Sequence, residues 1–401
     1  MFRQDQIAEV VESQRETFLR RKDEVDREAI HSVPVLPSFA TIITGIRRCG
    51  KSTLVSQLVK NKFPDAFFIN FEDIRLAGFE TDDFTRLYSE IVKQGSKVIC
   101  FDEIQLVTNW EMFVHQLLRE EFQVFVTGSN ASLLSRELGT HLTGRYLSTE
   151  LFPFSYNEFL SCRKMERNAE SVRQYINIGG MPEYVKSGEG QILNHLIDDI
   201  LIRDISVRQS LRDVNTLRQL TVYLLSNVGN LISASKLIGM YGVKSATTFL
   251  EYFNFLSDAY LVEFIPQFSY SLKAQARNLK KVYAMDLGFV SQVGMLFSEN
   301  NGQRFENLIY LHIRKTANEI FYYKDKGECD FVTMKNGQAQ ELVQACYEIN
   351  ELNFEREYSG LVEALKFFKK EEGIIVTMNQ SDKFEKDGYK VRIVSAHEYL
   401  S

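Results

Sequence analysis

The segment Gly45-Ile46-Arg47-Arg48-Cys49-Gly50-Lys51-Ser52-Thr53 spaces two glycines, a lysine and a hydroxyl as G-x-x-x-x-G-K-S. That set can hold a chain of phosphates. Glycine at both ends lets the backbone turn tightly, so several N–H groups can face one anion. Lys51 would meet the outer phosphates as a point charge and Ser52 would offer its hydroxyl to magnesium, while Arg47, Arg48, Cys49 and Thr53 complete the cradle. A second set closes the run Lys97-Val98-Ile99-Cys100-Phe101-Asp102-Glu103. Asp102 suits the metal, directly or through water, and Glu103 suits polarising a water that attacks the terminal phosphate. Ser129 and Asn130 end a further apolar run and could contact that water or the phosphate. Arg145 could neutralise phosphate charge in its own subunit or a neighbour's, as an arginine finger does.

These groups need a parallel sheet to carry them to one edge. Ala40-Thr41-Ile42-Ile43-Thr44 reads as the strand entering the loop, and a helix follows over residues 54–60. Strands are expected at 66–71, 97–103 and 122–128, each ending in polar or small residues, and open α/β sheets bind ligands at that carboxyl edge. Residues 3–29 have helical spacing, with Ile7, Val10, Val11 and Phe18 on one face. Trp110 reads as a packing anchor.

The bulk properties agree with a soluble multidomain chain. Its 401 residues are 44% hydrophobic, enough for several cores, and a net charge of −6 gives no global field for a polyanion. There is no apolar secretory segment and no long uninterrupted apolar run, so no transmembrane segment is expected and the location is expected to be cytoplasmic. Five scattered cysteines without a C-x-x-C pair read as reduced thiols rather than a zinc site.

The stretches Gly45–Thr53, Ile69-Asn70-Phe71-Glu72-Asp73, Phe101-Asp102-Glu103-Ile104-Gln105, Thr127-Gly128-Ser129, Gly144-Arg145, Leu151-Phe152-Pro153-Phe154 and Gly179-Gly180-Met181-Pro182-Glu183 occur in this order. The chain thereby resembles the prokaryotic AAA-type P-loop ATPases, close to the signal-transduction ATPase group, whose ATPase part is joined to an uncharacterised C-terminal domain. The resemblance implies that Asp102, Glu103 and the Ser129 region act in nucleotide turnover. It also implies that Gly180 and Pro182 lie near the nucleotide in a helical lid. From the residues alone, that last segment is a punctuated turn.

Residues 191–207 have the spacing of one long helix, and Asp198 and Asp199 read as a solvated acidic face. Residues 213–270 change to short helices, with 260–264 and 267–270 as a candidate wing hairpin. This region resembles a winged helix-turn-helix, also expected for the family, in which Lys244, Ser245 and Thr247 would open the recognition helix. Lys273, Arg277, Lys280 and Lys281 form a basic run after it, a candidate contact to duplex DNA. Beyond residue 297 a helix with Glu306, a hairpin with Asp330, and a helix and strands resemble a restriction-endonuclease-like core. Where an active member carries an acid and a lysine on its third strand, this chain has Gln344 and Cys346, so the metal site is expected to be degenerate.

The expected fold is α/β and multidomain. It comprises a P-loop AAA-type domain with its N-terminal helix (1–157), a helical lid (158–212), a winged-helix-like domain (213–296) and a degenerate endonuclease-like α/β domain (297–401). The expected function is magnesium-dependent ATP binding and hydrolysis coupled to movement of the C-terminal domains. DNA or a protein is the expected partner, and a homo-oligomer is compatible with the reading. One alternative is a nucleotide-gated binding module with slow turnover. Another is an ATP-regulated nuclease.

Overall fold

Ala40–Thr44 (β1) is buried along its whole length because it lies inside a parallel sheet covered by helices. The computed structural model describes residues 1–20, 25–129, 144–211, 213–294, 300–386 and 388–401. The chain divides into two compact units, Met1–Phe152 and Pro153–Ser401.

The first unit holds β1, Phe67–Asn70 (β2), Val98–Asp102 (β3), Gln123–Gly128 (β4) and Tyr146–Glu150 (β5) in the order β2-β3-β4-β1-β5. Every pairing is parallel, so all five carboxyl ends share one edge. Asn70 stands in register with Asp102, and Thr44 with both Gly128 and Glu150. The helices Gln4–Arg20 (α1), Lys51–Lys62 (α2), Phe84–Gln94 (α3) and Trp110–Arg119 (α4) belong to the same unit.

The apolar stripe of α1 explains its place. Ile7, Val10 and Val11 join the core formed with Phe67, Ile69 and Ile99, and Phe18 stacks on Phe68 with centroids 4.0 Å apart. Gln14 then serves the open edge of β2 as a neighbouring strand would. Its amide accepts the Asn70 N–H at 2.7 Å and donates to the Asn70 carbonyl at 3.0 Å. Trp110 is fully buried in the same core, as expected.

The second unit opens with short helices: Tyr156–Arg163 (α5), Ala169–Ile178 (α6), Pro182–Ser187 (α7) and Gln191–Asp199 (α8). The long helix expected over 191–207 continues from α8 as a wider π-helical stretch, Ile200–Ser206. Asp198 and Asp199 pair with Arg218 and Arg203 on its polar sides. Val214–Ser226 (α9) and Ala246–Asp258 (α10) follow, with a three-stranded sheet in which Lys280–Ala284 (β8) lies between Leu231–Ile232 (β6) and Val262–Pro266 (β7).

This corrects the expected wing. The partner of β7 is β8, and not residues 267–270. Gln267 instead bridges Tyr322, and the Phe268 N–H reaches the Tyr322 carbonyl at 2.8 Å. The last part is Asn301–Arg314 (α11) and Phe354–Phe368 (α12) with a six-stranded sheet. Its strands are Glu319–Lys324 (β9), Glu328–Lys335 (β10), Gln338–Ala345 (β11), Glu372–Thr377 (β12), Asp382–Lys386 (β13) and Tyr389–Ser395 (β14). Their order is β13-β14-β12-β11-β10-β9.

Polar side chains of α11 fasten it to the small sheet. The Asn307 amide bonds both the N–H and the carbonyl of Ala284, at 2.8 and 2.9 Å, and Arg314 pairs with Glu263 at 2.9 Å.

Candidate functional site

The loop after β1 turns on two glycines with positive φ, 143° at Gly45 and 103° at Gly50. A Cβ at Gly45 would stand 2.2 Å from the Leu151 carbonyl oxygen, so only glycine fits there. The first residue of α2 is Lys51, whose buried ammonium donates to the Gly45 and Ile46 carbonyls at 3.0 and 3.1 Å. Arg48 is exposed at φ 61°, Arg47 pairs with Glu72, and Thr53 is half-buried. Cys49 is buried, and its thiol donates to the Leu151 carbonyl at 3.4 Å.

Two carboxylates stand at the carboxyl edge beside this loop. Asp102, 2% exposed, accepts the Ser52 hydroxyl at 2.8 Å and the Asn70 amide at 3.0 Å on one oxygen, and the Thr127 hydroxyl on the other. Burial, reinforced by the charge of Glu103, pushes its pKa up to about 6. Glu103 sits in a left-handed conformation, φ 55°, and its N–H meets the Thr127 hydroxyl at 3.2 Å. One Glu103 oxygen accepts the Ser129 hydroxyl at 2.9 Å and the other the Gln105 amide. Thus Lys51, Ser52, Asp102, Glu103 and Ser129 are brought together. A cleft of about 800 Å³ opens next to Ser52 and Asp102, lined also by Gln14, Phe18, Asn70 and Glu72.

Arg27, which sequence reasoning missed, braces the loop from behind. Its guanidinium is buried and donates to the Cys49 carbonyl at 2.6 Å and the Phe152 carbonyl at 2.7 Å, while the Gln57 side chain accepts its N–H at 2.9 Å. Asn70 and Thr127 were missed too. The register of Asn70 with Asp102 was the signal that could have found the first.

Residues 38–160 match the model of the AAA domain, and residues 169–300 match a domain of unknown function (DUF8612). An uncharacterized protein of Methanocaldococcus jannaschii is 33% identical over 394 residues, covering 92% of this chain and 87% of that protein. The chain belongs to that protein's family, with an AAA domain at its N-terminal side. An uncharacterized protein of Haemophilus influenzae is 29% identical over 378 residues, 88% of this chain and 92% of that protein. Membership points to nucleotide binding and hydrolysis as the general activity of the AAA domain. No helix among the described residues is long and apolar enough to cross a membrane.

Other residues singled out from the sequence lie apart from this centre. Arg145 precedes β5, and its carbonyl accepts the Ala40 N–H at 3.0 Å, at the amino end of the AAA-domain sheet. A strand of roughly 16 Å therefore separates it from its own phosphate loop. That register places Arg145 at the edge of the sheet opposite its own phosphate loop. Asn130 lies outside the described residues. Within the second unit, the Gly180 N–H donates to Asp286 at 2.6 Å and Pro182 opens α7.

Ser245 caps α10 by accepting the Thr247 N–H at 3.1 Å, and Lys244, Ser245 and Thr247 are exposed. Lys273 and Arg277 are also exposed, and Lys280 is half-buried in β8. Lys281 is a correction. It is 4% exposed and faces protein, not solvent.

The acids near Lys281 are Glu306, Asp330 and the unforeseen Glu328. Gln344 accepts the Asp330 N–H at 3.1 Å and donates to Glu357 at 2.6 Å, while the Cys346 thiol donates to the Glu348 carbonyl at 3.3 Å. Glu341 is exposed on β11 where Gln344 is buried, as the strand alternation requires. Among the described residues no group of three His, Cys, Asp or Glu side chains is arranged to hold a metal.

Proposed function

We propose that the AAA domain binds ATP with magnesium and hydrolyses it, and that this cycle moves the second unit, with DNA or a protein as partner. The single observation that carries the reading is the pair of adjacent carboxylates at the end of β3, Asp102 bonded to Ser52 of the phosphate loop at 2.8 Å and Glu103 to Ser129 at 2.9 Å. The residues suit the ligand. Left-handed glycines shape a backbone cradle at a helix start, and the Ser52 hydroxyl and Asp102 carboxylate are hard oxygen ligands appropriate to magnesium. When bound, the metal ion would offset charge on the transferring phosphoryl group.

The chain's own groups then have separate tasks. Lys51, now on the Gly45 and Ile46 carbonyls, would hold phosphate, and Ser52 and Asp102 would hold the metal. Glu103 accepts the proton of the attacking water, with Ser129 and Gln105 fixing its carboxylate. The Thr127 hydroxyl donates to the Asp102 carboxylate and accepts the Glu103 backbone N–H, so it holds the chain segment that carries both acids.

The segment from 264 to 285 contains no acid and exposes Lys273 and Arg277, which favours a polyanionic partner for the second unit. The test is phosphate release with magnesium, alone and with duplex or single-stranded DNA, against Lys51→Ala as background. Turnover in the wild type that Lys51→Ala abolishes is expected, and DNA is expected to raise it. No turnover above that background, in any of these mixtures, would refute the ATPase reading.

A further inference from the structure

Lys281 projects from β8 into the C-terminal α/β region, where its ammonium meets three carboxylates. Glu306 Oε1 lies at 2.9 Å, and Glu328 Oε1 and Asp330 Oδ1 both lie at 2.8 Å. These acids come from α11 and β10, elements remote from β8 in sequence. Each acid has a further partner, on Glu306 at the same oxygen. Asp330 Oδ2 accepts the Ala345 N–H at 3.0 Å, Glu328 Oε2 takes Lys324 at 2.9 Å, and Tyr283 donates its hydroxyl to Glu306 at 2.6 Å. A cleft of about 800 Å³ opens beside the cluster.

As they stand these three acids are not arranged as metal ligands, and their distances to Lys281 are those of charge-assisted N–H···O bonds. An ammonium has three donors, and here each finds one acid. The third strand cannot supply what a metal centre lacks, because Gln344 is bonded to Asp330 and Glu357, and Cys346 to a backbone carbonyl.

We propose that Lys281 is the resident cation of this centre, a side chain standing where Glu306, Glu328 and Asp330 would otherwise gather a divalent metal ion. The cleft is then a metal-free site in the native protein, and the small sheet carrying β8 is locked to the C-terminal region by the same three ion pairs. Removing the ammonium uncovers a metal site. It also leaves buried Asp330 and partly buried Glu306 without their cation, while Glu328 keeps Lys324, and this destabilises the fold until a cation replaces the ammonium.

The experiment is a manganese titration of the full chain without nucleotide, followed by electron paramagnetic resonance and by thermal melting. It compares wild type, Asp330→Asn, Lys281→Ala and the double variant Lys281→Ala/Asp330→Asn. Lys281→Ala is expected to bind one manganese ion at least tenfold more tightly than wild type and to melt higher in its presence, and the double variant to lose both effects. Wild type and Asp330→Asn are expected to bind manganese alike. Manganese bound by wild type and lost in Asp330→Asn would overturn the proposal, as would a folded Lys281→Ala that gains no site. If Lys281→Ala folds only with manganese present and the double variant does not, the proposal stands. The wild-type comparison decides it independently of that variant's folding.

Discussion

Ser129 donates its hydroxyl to Oε1 of Glu103 at 2.9 Å, so the end of β4 orients the carboxylate presented by the end of β3. Ser129→Ala should loosen that carboxylate while leaving the phosphate loop intact. We expect kcat to fall by about tenfold, in the range of lost outer-shell support, with the ATP dissociation constant unchanged. Parallel losses in affinity and kcat would show that Ser129 contacts nucleotide instead.

Thr127 carries more of the structure, because its hydroxyl serves Asp102 and the Glu103 N–H together. Thr127→Val leaves both groups short of a partner in a buried place, at a cost of about 1–3 kcal/mol for each. Denaturant midpoints should fall and the magnesium requirement should change, and Thr127→Ser should restore both. A serine variant no better than valine would assign the effect to packing.

Arg27 joins the phosphate loop to the end of the first unit by its bonds to the Cys49 and Phe152 carbonyls. Arg27→Met should lower the melting temperature and weaken ATP binding. Arg27→Lys should recover little, since one ammonium lacks the fork that spans two carbonyls. Full ATP affinity in Arg27→Met would remove Arg27 from loop positioning.

Asp286 predicts a pH dependence. It is buried, and burial, opposed by the N–H groups of Gly180 and Gly288, pushes its pKa up to about 7. The folded state therefore holds this proton more tightly than the unfolded chain, whose carboxylate titrates near about 4. The associated stability is present below about pH 4 and is lost as pH rises through about 7. Melting of the second unit should fall between pH 5 and pH 8, and Asp286→Asn should flatten part of that fall. Glu306, also raised by burial and by the neighbouring Asp330, titrates in the same direction, so the variant should leave a residual slope. An unchanged slope in Asp286→Asn would contradict the assignment.

The AAA domain was legible because its signals are local. A strand, a loop of fixed spacing and a helix start sit within a few residues of one another, and the acids end a strand whose apolar run is plain in the sequence. Gln14 and Arg27 were hidden because their partners are distant in the chain: Gln14 bonds Asn70, 56 residues away, and Arg27 reaches Phe152 across 125 residues. The wing was misplaced since the nearest extended run after β7 was taken as its partner, whereas residues 267–279 make an excursion with the helix Leu272–Arg277 before β8. Lys281 was read with its basic neighbours as a surface charge. Strand alternation carried the contrary signal, for it puts Lys281 on the side of Tyr283, and both side chains bond Glu306.

The most direct measurement is steady-state phosphate release from ATP by wild type and Glu103→Gln at equal nucleotide occupancy, with and without magnesium. The account predicts magnesium-dependent turnover in the wild type and a fall of about a hundredfold or more in the variant, with ATP binding retained. Equal turnover in Glu103→Gln would contradict it and take the water-polarising role away from Glu103.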